Sequence, residues 1–139
     1  MKQNSQAGYS GTPLIKKLGL KPGMKMVLLG APANYEELLG ESVVHSTSLV
    51  TEADLDFLHY FTSERSRLEA DFLSLKKALK PDGILWVSWP KASSGVVTDL
   101  TENIVREIGL EKGLVDVKVC AVDATWSALK FVYRLVDRP

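Results

Sequence analysis

Cysteine is all but missing from this chain: Cys120 stands alone in 139 residues, which excludes an intramolecular disulfide. Histidine is nearly as scarce. His45 and His59 are the only two, and no cluster of Cys and His has the spacing of a metal site, so no metal is expected. Charge of one sign is missing too, because seventeen basic residues balance seventeen acidic ones. No global field then draws the protein to nucleic acid or to an anionic membrane, and neither is expected as a partner, although overall balance leaves room for a local patch. No apolar run approaches the ~20 residues of a membrane span. Residues 1–6 are polar and carry no apolar signal region, so the cytoplasm is the expected location. The sequence has no repeat, no low-complexity tract and no linker. Residues 1–8 read as a flexible N-terminus and 9–139 as one domain, long enough to hold a core without staples.

Against these absences stands the stretch 79–90, Leu-Lys-Pro-Asp-Gly-Ile-Leu-Trp-Val-Ser-Trp-Pro. Pro81 cannot continue a helix, Asp82-Gly83 supplies a turn, and 84–89 is apolar apart from Ser88, which reads as a buried strand. A similar entry, Lys21-Pro22-Gly23, precedes a strand over 25–29. Between the two lie a short helix opened by Asn34 and closed by Gly40, a short strand at Val43-Val44, a strand over 54–61 and a helix over 63–79. In that helix Leu68, Phe72, Leu75 and Leu79 form one apolar stripe. Thr12-Pro13 starts a first helix that Gly19 stops. After the 84–89 strand, Asp99 with Glu102 three residues on has the form of a capping box opening a helix buried through Leu100, Ile104, Val105 and Ile108. Strands over 114–122 and 129–136 are joined by a connection too short for anything but an antiparallel hairpin. This order predicts a three-layer α/β domain with a mostly parallel sheet and a C-terminal antiparallel hairpin.

The entry 18–25, the Asp54-Leu55-Asp56-Phe57-Leu58 strand and the Leu79-Lys80-Pro81-Asp82-Gly83 turn resemble their counterparts in class I S-adenosylmethionine-dependent methyltransferases. The resemblance implies a trimmed, Rossmann-like form of that fold. A narrower one covers residues 8–134. Gly8-Tyr9-Ser10-Gly11-Thr12-Pro13-Leu14, Trp89-Pro90-Lys91, Ser94-Gly95, Thr98-Asp99-Leu100-Thr101 and 119–127 resemble the recurring phrases of the bacterial DUF3052 family, whose members are uncharacterised.

In working methyltransferases a glycine-rich loop follows the first strand, and an acidic residue at the end of the second holds the ribose. Here the loop is Gly30-Ala31-Pro32-Ala33-Asn34-Tyr35, with one glycine and a proline that removes a donor, and 43–48 offers no carboxylate. The expectation is therefore a non-catalytic, methyltransferase-like domain that uses no cofactor, S-adenosylmethionine included, and binds a small, anionic ligand or a protein partner. Two alternatives remain open: a methyltransferase with an atypical cofactor site, in which Trp89 stacks on adenine and Lys91 or Asn34 meets the carboxylate, and a structural homo-oligomer such as a homodimer.

Ligands in open α/β sheets sit beyond the carboxyl ends of the strands. That edge gathers Gly30 and Asn34 from one loop and Trp89, Lys91, Ser94 and Thr98 from another, which makes these six the expected ligand-binding residues. Together they offer a π surface, a cation, hydroxyls and a helix N-terminus. The second loop also reads as a polar turn capped by Asp99. Tyr9 and Ser10 are placed as a lid over the edge, or as a staple for the first helix. Catalytic residues are not assigned. Cys120 reads as a small buried hydrophobe, His59 as a hydrogen-bonded core or edge residue, and Trp126 as a packed turn residue or a ligand contact.

Overall fold

The computed structural model describes residues 13–40 and 53–138. The expected strand at Val43-Val44, the lid residues Tyr9 and Ser10, and His45 lie outside the described residues. The elements run α1 (Leu14–Leu18), β1 (Met26–Leu29), α2 (Tyr35–Leu39), β2 (Leu55–Phe61), α3 (Arg65–Ala78), β3 (Leu79–Pro90), α4 (Glu102–Glu111), β4 (Leu114–Ala121) and β5 (Trp126–Tyr133). Five strands form one sheet in the order β1-β2-β3-β5-β4. The pairs β1–β2 and β2–β3 are parallel, and β5 pairs antiparallel with both β3 and β4. This is the three-layer α/β architecture expected, a mostly parallel sheet with an antiparallel hairpin at its end.

Strand alternation sorts the core into two faces. Val27, Leu58, Leu85, Val87, Leu129 and Phe131 point to one, where Leu68, Phe72 and Leu75 of α3 and Val105 and Ile108 of α4 cover them. Leu28, Phe57, Phe61, Trp86 and Ala128 point to the other, beneath Leu18 of α1 and Tyr35 and Leu39 of α2. The α3 stripe is fully buried, with Leu79 behind it at the start of β3. Trp86 is 0% exposed, and its indole N–H still finds a partner, donating to Leu18 O at 2.8 Å.

Three local expectations are corrected. The Pro81-Asp82-Gly83 turn lies inside β3, because the β2–β3 ladder pairs Leu55 with Leu79 and resumes at Phe57 with Ile84. The intervening residues bulge from the strand, and Gly83 lets the chains close up there: a Cβ on it would stand 2.6 Å from Leu55 O. The hairpin connection is shorter than expected, so β5 begins at Trp126. Asp123 Oδ1 accepts from the N–H groups of Thr125 and Trp126, both at 2.8 Å, and folds the turn in three residues. Asp99 does not cap α4. Thr101 does, its Oγ1 accepting from Ile104 N at 3.2 Å, while Asp99 Oδ1 accepts from Arg65 N at 2.7 Å and so caps α3. Glu64, the residue at the N-cap position before α3, makes no side-chain cap bond of its own, which leaves the Arg65 N–H for a carboxylate 34 residues away.

Candidate functional site

β1 is followed by Gly30, whose φ of +71° turns the chain out of the sheet. A Cβ at that position would lie 2.7 Å from Phe61 O on the neighbouring strand, so only glycine fits this crossing. The loop that follows and the first turn of α2 border an open cavity of about 280 Å³ lined by Leu28, Gly30, Ala31, Pro32, Ala33, Tyr35 and Glu36. This lies at the carboxyl end of β1, the edge at which open α/β sheets take ligands. Its volume is just under the ~300 Å³ at which small-molecule pockets begin, enough for part of a nucleoside-sized ligand with the rest over the open edge. Small side chains at 30, 31 and 33 leave the backbone approachable, and Glu36 supplies a carboxylate in the wall.

Tyr35 forms the inner wall and is 2% exposed. Its hydroxyl lies 2.8 Å from His59 Nδ1 on β2, and His59 Nε2 lies 2.8 Å from Ser88 Oγ on β3. His59 is fully buried, stacked on Phe61 with ring centroids 4.2 Å apart. Burial drives its pKa down to about 3, so the ring is neutral, and burial pushes the Tyr35 phenol far above its ordinary value.

Of the six residues expected to bind ligand, the structure brings only Gly30 into this cavity. Asn34 is exposed, makes no side-chain cap bond to α2 and is not in the lining. Trp89 is 5% exposed and packs in the α3/α4 core, on the sheet face opposite Tyr35, so its ring offers no open surface on which adenine could stack. Ser94 Oγ donates to Lys91 O at 2.7 Å and accepts from Val96 N. Thr98 Oγ1 donates to Ser63 O at 2.7 Å and accepts from Leu100 N, which ties its loop to the start of α3. Lys91 holds the end of β3 to the hairpin turn through its backbone, Lys91 N donating to Thr125 O at 2.8 Å. Its half-buried side chain joins no ion pair among the described residues.

Cys120 is buried, and burial raises its thiol pKa against the opposing pull of Lys17, Lys118 and Lys91. Both nitrogens of His59 are engaged elsewhere, so the two do not pair. Trp126 is half-buried, edge-on to Phe61 at 5.1 Å. Among the described residues no three metal-ligating side chains gather, and no helix is long and apolar enough to cross a membrane. Sequence reasoning missed the contact of His59 with Ser88. The available signal was that each interrupts an apolar run, 57–61 and 84–89, and that both point to the same face.

No protein-family model and no curated protein matches the chain. Solved structures do. An S-adenosylmethionine-dependent methyltransferase from Aquifex aeolicus matches with a TM-score of 0.62 and 17% identity, over 85% of this chain and 86% of that one. Magnesium protoporphyrin IX methyltransferase from Synechocystis, crystallised with bound S-adenosylmethionine, matches with a TM-score of 0.61 and 13% identity, over 87% and 76%. The Methanococcus jannaschii fibrillarin pre-rRNA processing protein matches at 0.54 and 18%, over 87% and 72%. The chain therefore has the Rossmann-like fold of class I methyltransferases. These neighbours overturn the expectation of a non-catalytic domain with no use for S-adenosylmethionine, since the structures that share its fold include an S-adenosylmethionine-dependent methyltransferase and a methyltransferase crystallised with that cofactor.

Proposed function

We propose that this protein is an S-adenosylmethionine-dependent methyltransferase whose cofactor lies in the cavity at the end of β1. The observation that carries this reading is the placement of that cavity, at the carboxyl end of the first strand of a sheet built like those of cofactor-bearing methyltransferases. The residues present fit the group. Gly30, Ala31 and Ala33 let a ligand approach the backbone, and Glu36 lies in the lining. Pro32 lacks a backbone N–H, so Gly30, Ala31 and Ala33 carry what donation the loop makes. When bound, the cofactor supplies a methyl group on a sulfonium, which needs a positioned nucleophile rather than a metal. The apolar wall of Leu28 and Tyr35 excludes water on the inner side.

Lys91 belongs to the same proposal as a contact for an anionic ligand at the edge, with Ser94, Thr98 and Trp89 shaping its loop from behind and Asn34 standing at the surface by the cavity. The narrower kinship with DUF3052, a single domain over 9–139, and a cytoplasmic, bacterial setting complete this reading. The family reading rests on the quoted sequence phrases.

Isothermal titration with S-adenosylmethionine and S-adenosylhomocysteine tests it. Micromolar binding that is lost on Gly30→Val or Ala33→Trp supports the assignment. Failure of both ligands to bind at millimolar concentration sinks it.

A further inference from the structure

We propose that Tyr35, His59 and Ser88 form a buried positioning relay that fixes the wall of the β1 cavity. The three come from α2, β2 and β3 and are joined by two hydrogen bonds of 2.8 Å. Leu28, Phe57, Phe61 and Trp86, apolar or aromatic, lie on the same face.

Stability alone does not account for such a chain. A fully satisfied buried polar pair contributes about as much as apolar groups of the same shape, whereas losing one member leaves an orphan. What the relay adds is location. α2 has five residues and no side-chain cap, and only Tyr35 and Leu39 are buried. Tyr35 is the one of that pair which also lines the cavity, and its hydroxyl is a buried polar tie from α2 to the central strands. Neutral imidazole has one donor and one acceptor. A phenol is the more acidic hydroxyl, so we assign it as donor to Nδ1, with Nε2–H donating to Ser88 Oγ. Two strands deep in the sheet thereby hold the ring that shapes the ligand wall.

The consequence for cofactor affinity rests on the function proposed above; the ordering of the wall does not. The test therefore reads both. The triple variant Tyr35→Phe/His59→Leu/Ser88→Ala removes every polar group of the relay at nearly constant shape. Its thermal midpoint is expected to stay near that of the parent. Its amide hydrogen exchange over 31–39 is expected to quicken at least tenfold, with α3 unchanged, and its dissociation constant for S-adenosylhomocysteine to rise about tenfold. His59→Gln, which can accept from Tyr35 and donate to Ser88, is expected to restore slow exchange to within threefold of the parent. Parental exchange over 31–39 in the triple variant would overturn the relay, and Ser88→Ala alone provides the same reading should the triple variant not fold. If the parent binds no S-adenosylhomocysteine, the cofactor assignment fails, while the exchange comparison still decides the relay.

Discussion

On the α3/α4 face of the sheet, Leu58, Leu85, Val87 and Phe131 meet Leu68, Phe72, Leu75 and Val105, and the polar atoms are confined to the rim, where the Tyr60 hydroxyl donates to Asp71 at 2.6 Å. On the α1/α2 face, the same strands present His59 and Ser88 in mid-sheet and a cavity at the edge. Among the described residues two long helices seal the first face, and two helices of five residues cover the second. The two faces divide the labour. The apolar face is fitted to hold the sheet together by close packing, and the polar face to hold a few side chains in one geometry at a cost in burial.

The comparison is broken most easily from the packed side. Phe72 is 0% exposed, with its ring edge-on to Phe131 at 5.5 Å. Phe72→Ala is expected to lose about 3–5 kcal/mol in urea unfolding, the usual result of emptying a buried aromatic site. Affinity for S-adenosylhomocysteine in the protein that remains folded should not change. A stable variant with weakened ligand binding would show that the two faces are not separate in function.

The polar face has a signature in pH. Burial holds His59 at about 3 when folded, against an ordinary 6.5, so the unfolded chain takes up a proton in that interval that the folded chain refuses. Its stability is complete above the upper value and is lost as pH falls toward the lower one, with a slope of up to about 1.4 kcal/mol per pH unit. Urea unfolding of the parent and of the relay-free triple variant at pH 7 and pH 4.5 isolates this term, since the remaining groups are common to both. The parent should lose ground to the variant on acidification. Parallel losses would mean that His59 is not held neutral.

Asp99 joins the sealed face to the edge loop, and its replacement sharpens the comparison at a smaller scale. Asp99→Ala removes the acceptor for Arg65 N and should cost about 0.5–2 kcal/mol, whereas Asp99→Asn keeps an acceptor oxygen and should cost only a few tenths. Hydrogen exchange places the effect: the first turn of α3 should loosen and that of α4 should not. Loosening of α4 instead would return Asp99 to the role its spacing from Glu102 first suggested.

That error shows where the sequence is legible. Period-2 and period-3.6 patterns located β2, α3 and α4 within a residue or two, because burial of whole faces writes itself into runs such as Leu68, Phe72 and Leu75. Caps and turns were less legible, since one Asp can serve a helix 34 residues away as readily as the next one. The cavity was legible only through Gly30, and Trp89 lies away from it for a physical reason. A Trp at a strand end has a definite side of the sheet, and counting from Leu85 and Val87 puts Trp89 with them in the α3/α4 core. The relay escaped because His59 and Ser88 become neighbours only through the β2–β3 register, in which His59 stands beside Trp86 and Phe61 beside Ser88.

The smallest effect is expected at Lys91, and it separates the two kinds of group once placed together at the edge. The hydroxyl of Ser94 is spent on Lys91 O and Val96 N, and that of Thr98 on Ser63 O and Leu100 N. The Lys91 ammonium has no ion pair among the described residues and lies close enough to Cys120, together with Lys17 and Lys118, to pull on its thiol. An anion at this edge should therefore answer to Lys91 and not to Ser94. Lys91→Ala should change unfolding free energy by less than about 0.5 kcal/mol, as half-exposed substitutions usually do. It should also reduce the rise in thermal midpoint that inorganic phosphate produces in the parent. Ser94→Ala should leave that rise intact while loosening its own turn. Equal loss of the phosphate effect in both variants would mean that the Ser94 hydroxyl is available to ligands after all, and that the loop binds as the unit its sequence suggests.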